Sequence, residues 1–238
     1  MPHKKVVLVT GANSGIGYEI ARELHENGYY TIALDLNNDK SINISDRQYC
    51  VNLLNKDELI DFTKNYNEPL DILVNCAGIR EICPLLELDV KKWSDVIGVN
   101  LTAPFILSQF AAKRMIEFGT PGNIINISSI SGLQAEPDRC AYISSKHGVI
   151  GLTKSLAFDL GKHDIRVNAI APGIIETELT EQYFENEDTA NLIRLNTPLN
   201  KWGNKNNIYK AVKSIIDNDF MTGSVLVVDG GWTVGKEL

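Results

Sequence analysis

Tyr142 and Lys146 stand four residues apart in Tyr142-Ile143-Ser144-Ser145-Lys146, and Ser129 lies thirteen residues upstream of the tyrosine. On a helix this spacing places phenol and ammonium on one face, a turn apart. A cation so placed lowers the phenol pKa from its ordinary value near 10. Together with an oxidised nicotinamide ring it is expected to bring Tyr142 to roughly 7, which makes an acid/base suited to alcohols and ketones.

A second group of residues fits a phosphate-bearing cofactor. Gly11-Ala12-Asn13-Ser14-Gly15-Ile16-Gly17 follows the apolar run Val6 to Thr10 directly and opens a helical segment. Glycines there let the backbone approach a pyrophosphate, whose charge is met by Asn13, Ser14, Gly15, Ile16 and Gly17 amides at the positive helix end. The second apolar run ends at Asp35, eighteen residues after Gly17, where a carboxylate accepts hydrogen bonds from ribose hydroxyls and repels a 2′-phosphate. No lysine or arginine stands among Ala12, Asn13 and Ser14 or directly after Asp35. NAD is therefore expected, with NADP disfavoured.

Alternating elements must hold these two groups. Short β-branched runs at 5–10, 30–35, 71–75, 123–128, 166–171 and 224–229 alternate with helical periodicity at 15–27, 57–66, 91–118, 141–162 and 206–218. The pattern predicts an α/β class: a single-domain doubly wound Rossmann fold over 1–238, its sheet mainly parallel with helices on both faces. The stretch 91–118 is expected to break near Asn100. Residues 176–200, rich in Glu, Asn and Thr, are expected to form a mobile lid over the site.

The composition limits the partners. A formal charge of −7 without a basic block argues against nucleic acid and anionic membrane. No run is as apolar and long as a membrane helix requires, and the N-terminus reads as entering the first strand without a signal peptide. Cys50, Cys76, Cys83 and Cys140 are scattered without metal spacing, so no metal is expected, and reduced thiols point to a cytoplasmic protein.

With the glycine turn, Asn75-Cys76-Ala77-Gly78, Asn100, Ser129, Tyr142, Lys146 and Pro172-Gly173 in this order, the chain resembles the classical short-chain dehydrogenase/reductase (SDR) family over essentially its whole length. The resemblance implies that Asn75, Ala77 and Gly78 border the adenine ribose, with Cys76 where asparagine is usual, and that Asn52 stands where an aspartate commonly touches adenine. It further implies that Pro172, Gly173 and Thr177 hold the nicotinamide carboxamide. Tyr142 and Lys146 would touch cofactor as well as substrate. Ser129 would share the substrate oxygen with Tyr142, and Asn100 would hold a water that links the lysine to solvent. Ser128 is expected to point away, His147 to pack, and Cys76 to be a packed thiol.

Substrate-facing positions in such proteins correspond here to Arg80 and Glu81, 134–139 and the lid. Arg80 and Arg139 are candidates to receive an anion, so the expected activity is hydride transfer between NAD(H) and a small polar or anionic secondary alcohol or ketone. Two rival readings are an NADPH-dependent 3-oxoacyl carrier-protein reductase and a non-catalytic dinucleotide-sensing protein. The helices at 91–118 and 141–162 resemble the family's dimer-forming pair, so a homotetramer or homodimer is expected.

Overall fold

The computed structural model describes residues 4–37 and 44–235. Met1–His3, read above as leading into the first strand, lie outside the described residues. Seven strands form one parallel sheet in the order β3-β2-β1-β4-β5-β6-β7: β1 (Val6–Thr10), β2 (Tyr30–Asp35), β3 (Arg47–Cys50), β4 (Ile72–Asn75), β5 (Gly122–Ile127), β6 (Ile165–Pro172) and β7 (Val225–Val228). The strand order reverses between β1 and β4, where both strands end on the same side of the sheet and leave a crevice for a ligand.

Pleating sorts the apolar side chains of each strand onto two faces. Leu8, Ile32, Leu73 and Ile124 point to one side, under α2 (Lys56–Asn65) and α4 (Ala103–Phe118), where they meet Leu59, Phe62, Leu107 and Met115. Val7, Val9, Ile72 and Ile125 point to the other, under α1 (Gly15–Glu26) and α8 (Lys205–Asp217), and meet Ile20, Leu24, Val212 and Ile215. Burial on both faces explains the near-continuous apolar runs.

α3 (Val90–Ile97) and α4 join through a π-helical turn at Gly98–Thr102, so the break foreseen near Asn100 is a widening of one long helix. Contrary to the sequence reading, Val90–Phe118 taken as one run is long and apolar enough to cross a bilayer. Of its most apolar window 56% is buried inside the fold, as for a core helix.

α5 (Cys140–Leu160) carries the tyrosine and lysine. Between it and α4, a buried polar seam runs through the core: Asn75 Nδ2 donates to Asn126 Oδ1 (2.8 Å) and Ser108 Oγ (3.2 Å), and Asn126 Nδ2 donates to Thr153 Oγ1 (2.9 Å). After β6 the chain forms α6 (Gln182–Glu185) and α7 (Glu187–Leu195), so the lid foreseen at 176–200 contains two short helices that the periodicity did not reveal. β3 was also not foreseen; it is a four-residue edge strand with Arg47 and Cys50 exposed.

Candidate active site

A cavity of about 980 Å³ runs along the C-terminal ends of the strands, from the glycine turn to the lid. Gly11, Ser14, Gly15, Ile16 and Gly17 form one end. Two glycines are sterically required there. Gly11 has φ +65° and a Cβ on it would sit 2.8 Å from Ala77 Cα, while a Cβ on Gly17 would sit 2.1 Å from the Gly11 carbonyl oxygen. Asp35, Asn52, Ala77 and Gly78 continue the lining.

Asn13 is not part of that wall. Its amide donates to Asp35 Oδ2 (3.0 Å) and its side chain to the Asn37 carbonyl, so it braces the loop against the end of β2. Asn75 also departs from the expectation: it is buried in the polar seam, pointing into the core under α4 and α5. Asn52 lines the cavity while its Oδ1 accepts from the Leu54 amide (3.0 Å). Thr10 Oγ1 accepts from the amides of Cys76 and Ala77 (3.0 Å each) and so fixes the turn after β4 against β1. Burial pushes the Cys76 thiol up to about 12, so it is no nucleophile.

At the other end, Ser129 leaves β5 and Tyr142 and Lys146 project from α5. Ser129 Oγ accepts from the Ser131 amide (3.1 Å) and, with Tyr142, lines this end of the cavity, where it lowers the phenol pKa against the effect of burial. Lys146 Nζ lies 5.6 Å from the centre of the Tyr142 ring and donates to the Ile127 carbonyl (2.9 Å). Ser128 Oγ donates to the Lys146 carbonyl (3.0 Å) and is structural, as expected. His147 is exposed rather than packed, with Nδ1 3.0 Å from the Ile143 carbonyl oxygen.

The acidities correct one expectation. Burial raises Tyr142 above its ordinary value, against smaller lowering effects from Ser129, Arg80 and Arg139. The same burial lowers Lys146 to about 8. The lysine stands against the ring and a carbonyl, so its charge does not dominate the phenol as the spacing alone predicted.

Asn100 sits in the π-helical turn with Oδ1 accepting from the Ile79 amide (2.9 Å) and Nδ2 donating to the Ile79 carbonyl (2.8 Å) and Ser145 Oγ (3.0 Å). Ser145 Oγ donates in turn to the Tyr142 carbonyl (2.7 Å). Asn100 thus ties the loop after β4 to the catalytic helix, and a Cβ on Gly78 would lie 3.4 Å from its Oδ1 and 3.6 Å from Lys146 Nζ.

Glu81 does not face substrate. Its carboxylate caps α5, accepting from the Ala141 and Tyr142 amides. Arg80 and Arg139 do converge: Arg80 Nη1 (2.7 Å) and Arg139 Nη2 (2.5 Å) both donate to the Tyr183 hydroxyl, and Arg139 is ion-paired with Glu136. Tyr183 lies on α6, so these arginines tie the segment expected to form a lid to this end of the cavity. Pro172, Gly173 and Thr177 line the wall opposite, and Thr177 Oγ1 is 3.1 Å from Thr180 Oγ1.

Sequence reasoning missed Glu178 and Tyr183. Glu178 pairs with Lys205 (3.2 Å) and its Oε2 lies 3.4 Å from where a Cβ on Gly15 would stand, so it meets the glycine turn from the 176–200 side. Among the described residues no group of three or more His, Cys, Asp or Glu side chains is placed to hold a metal ion.

A parallel sheet with the 3-2-1-4-5-6-7 order, a glycine turn at its switch point, and a serine, tyrosine and lysine gathered at one end of the cavity define a nucleotide-dependent oxidoreductase. The short chain dehydrogenase family model matches residues 5–188, and the chain belongs to that family. It is 39% identical over 238 residues to a 3-oxoacyl-(acyl-carrier-protein) reductase of Rickettsia prowazekii, covering 95% of this chain and 96% of the relative. It is 33% identical over 242 residues to the gluconate 5-dehydrogenase of Gluconobacter oxydans, covering 95% and 94%. A 4-hydroxyisoleucine dehydrogenase complexed with NADH superimposes with a TM-score of 0.94 at 44% identity, covering 98% of this chain and all of that one. A structure of that dehydrogenase with NADH and succinate gives 0.89 at 42% identity, covering 96% of this chain and all of that one.

Proposed function

We propose that the chain transfers hydride between NAD(H) and a small polar or anionic secondary alcohol or ketone, and that Asp35 selects NAD over NADP. The bound nicotinamide supplies or accepts the hydride. Tyr142 exchanges a proton with the substrate oxygen, and Ser129, which lines the same end of the cavity, orients the oxygen and meets its developing charge. A phenol held protonated by burial suits donation to a carbonyl oxygen. Lys146 would hold the nicotinamide ribose and return the proton, and Asn100 would hold a water that links the lysine to solvent.

The glycine turn fits a pyrophosphate because a side chain at Gly11 or Gly17 would collide with backbone. Gly11, Ser14, Gly15, Ile16 and Gly17 would cradle it, Asp35 would take the ribose hydroxyls, Asn52, Ala77 and Gly78 would flank the adenosine, and Pro172, Gly173 and Thr177 would hold the carboxamide. Asn13 and Asn75 support these groups from behind.

The observation that carries this reading is the joint placement of Ser129, Tyr142 and Lys146 in one cavity with the glycine turn. Tyr142→Phe should bind NADH as the parent does and lose turnover by at least about a hundredfold. Unchanged turnover would point to another proton donor.

An NADPH-dependent 3-oxoacyl-(acyl-carrier-protein) reductase is the second reading, favoured by the Rickettsia relative. Asp35 and the net charge of −7 weigh against it, since a 2′-phosphate and an acidic carrier would both be repelled. A dinucleotide sensor has no use for an intact serine, tyrosine and lysine. We also propose a cytoplasmic homotetramer or homodimer assembled through the helices Val90–Phe118 and Cys140–Leu160. Phe105 and Phe158, 46% and 89% exposed, supply apolar surface on them.

A further inference from the structure

We infer that the lid end of the cavity is a receptor for a hydroxy or oxo acid that carries one carboxylate on an aliphatic body. The inference rests on the oxidoreductase reading above and narrows its substrate.

Charge is the first argument. Arg80 and Arg139 both line this end; Glu136 is ion-paired with Arg139, while Arg80 donates to the Tyr183 hydroxyl (2.7 Å) and the Leu179 carbonyl (2.8 Å). The Arg80 charge is thus met by neutral acceptors. What the two arginines share is the neutral Tyr183 hydroxyl, and the buried Arg139 Nε has no hydrogen-bond partner. A partly desolvated cation with a neutral acceptor is poorly compensated. One carboxylate would balance the charge and offer the planar pair of oxygens that guanidinium forks match. Both arginines line the same cavity as Tyr142, so an anion held by them shares that cavity with the reacting alcohol.

The second argument separates an aliphatic acid from a sugar acid. Ile79, Leu179, Leu192 and Ile193 face this end of the cavity, and the lid holds Leu179 and Leu192 48% and 61% exposed. Several of the lid's neutral polar groups are spent internally. Thr180 Oγ1 donates to the Ile175 and Thr177 carbonyls, and Asn196 Nδ2 donates to the Leu192 carbonyl. A run of hydroxyls would lose water there without regaining hydrogen bonds, whereas a branched alkyl chain gains from burial.

The test uses the full chain saturated with NADH and three unreactive or slowly reacting probes: 4-methylpentanoate, its neutral amide, and gluconate. Calorimetric titration should show 4-methylpentanoate binding at least about tenfold tighter than either of the others, the size expected when charged hydrogen bonds and apolar contact are both gained. Arg139→Met and Arg80→Met should each bring the acid-to-amide ratio close to one, with NADH binding as the control for a folded protein. Equal binding of acid and amide to the parent, tighter binding of gluconate, or survival of the acid preference in both variants would overturn the inference while leaving the dinucleotide reading intact. Failure of NADH itself to bind would instead overturn that earlier reading and this inference with it.

Discussion

The Glu81 carboxylate accepts the Tyr142 amide through both of its oxygens, at 3.1 Å each, and the Ala141 amide at 2.8 Å. α5 has no side-chain cap from its own N-cap residue, Arg139. The helix that carries Tyr142 is therefore terminated by a carboxylate from the loop after β4, which also suits the positive helix end. Glu81→Ala should lower stability by about 1 kcal/mol, the usual worth of a cap. It should lower kcat by roughly tenfold or more because Tyr142 shifts, with the NADH Kd unchanged. Glu81→Gln retains one acceptor and should recover most of both losses. An unaltered kcat in the alanine variant would leave Glu81 a purely structural cap.

Stability should depend on pH through Lys146. Burial lowers its pKa from 10.5 to about 8, so between these values the unfolded chain holds a proton that the native chain has released. Stability from this group therefore rises with pH across that window. The unfolding free energy of the parent relative to Lys146→Met should increase by about 2 kcal/mol from pH 8 to 10. Tyr142, whose pKa burial raises, contributes in the opposite sense only above pH 10, so urea titrations should stop there. A flat difference would mean that the native lysine keeps its proton.

Cofactor choice should turn on one carboxylate. Asp35 Oδ2 accepts the Asn13 amide, which keeps the charge at the end of β2 beside the glycine turn. Asp35→Ala should lower the ratio of kcat/KM for NADH over NADPH by at least about tenfold, since a 2′-phosphate no longer meets a like charge. Steady-state rates with both nucleotides measure this. An unchanged ratio would move the selectivity elsewhere.

The lid and the pyrophosphate should compete. Glu178 lies against the glycine turn, its Oε2 3.4 Å from where a Cβ on Gly15 would stand, and its pKa is held low chiefly by backbone hydrogen bonding, with Lys205 adding to the effect. A carboxylate beside that turn adds negative charge next to a site suited to phosphate. Glu178→Gln should therefore tighten NADH binding by about threefold to tenfold in fluorescence titrations, the scale of one partly screened charge. Weaker binding would show that Glu178 assists the cofactor.

Much of this architecture was legible because its signals are local. Val6 to Thr10 followed by the glycine turn, and the tyrosine and lysine a helical turn apart, depend on neighbours in sequence and appear where spacing puts them. β3 escaped because a four-residue edge strand with exposed ends has no apolar run to announce it. Glu81 escaped for another reason: its partners lie sixty residues away at Ala141 and sixty-one at Tyr142, so nothing near it in sequence marks it as a cap. Asn75 shows the converse. The motif that names it is local, but its amide is claimed by Ser108 and Asn126 across the core. The spacing of Tyr142 and Lys146 reports proximity and carries no measure of the desolvation that, in the protein by itself, raises the phenol pKa.

The amides and hydroxyls of Asn75, Asn126, Ser108 and Thr153 also discriminate between ways of assembling the chain. Hydrocarbon contacts tolerate a helix docked one turn out of place, because one leucine substitutes for another. Directional bonds do not. A misthreaded intermediate would trap several polar groups in oil at about 1 to 3 kcal/mol each, so it would reopen before it could persist, and the two strand tips that carry the chemistry would come level only in the correctly threaded protein.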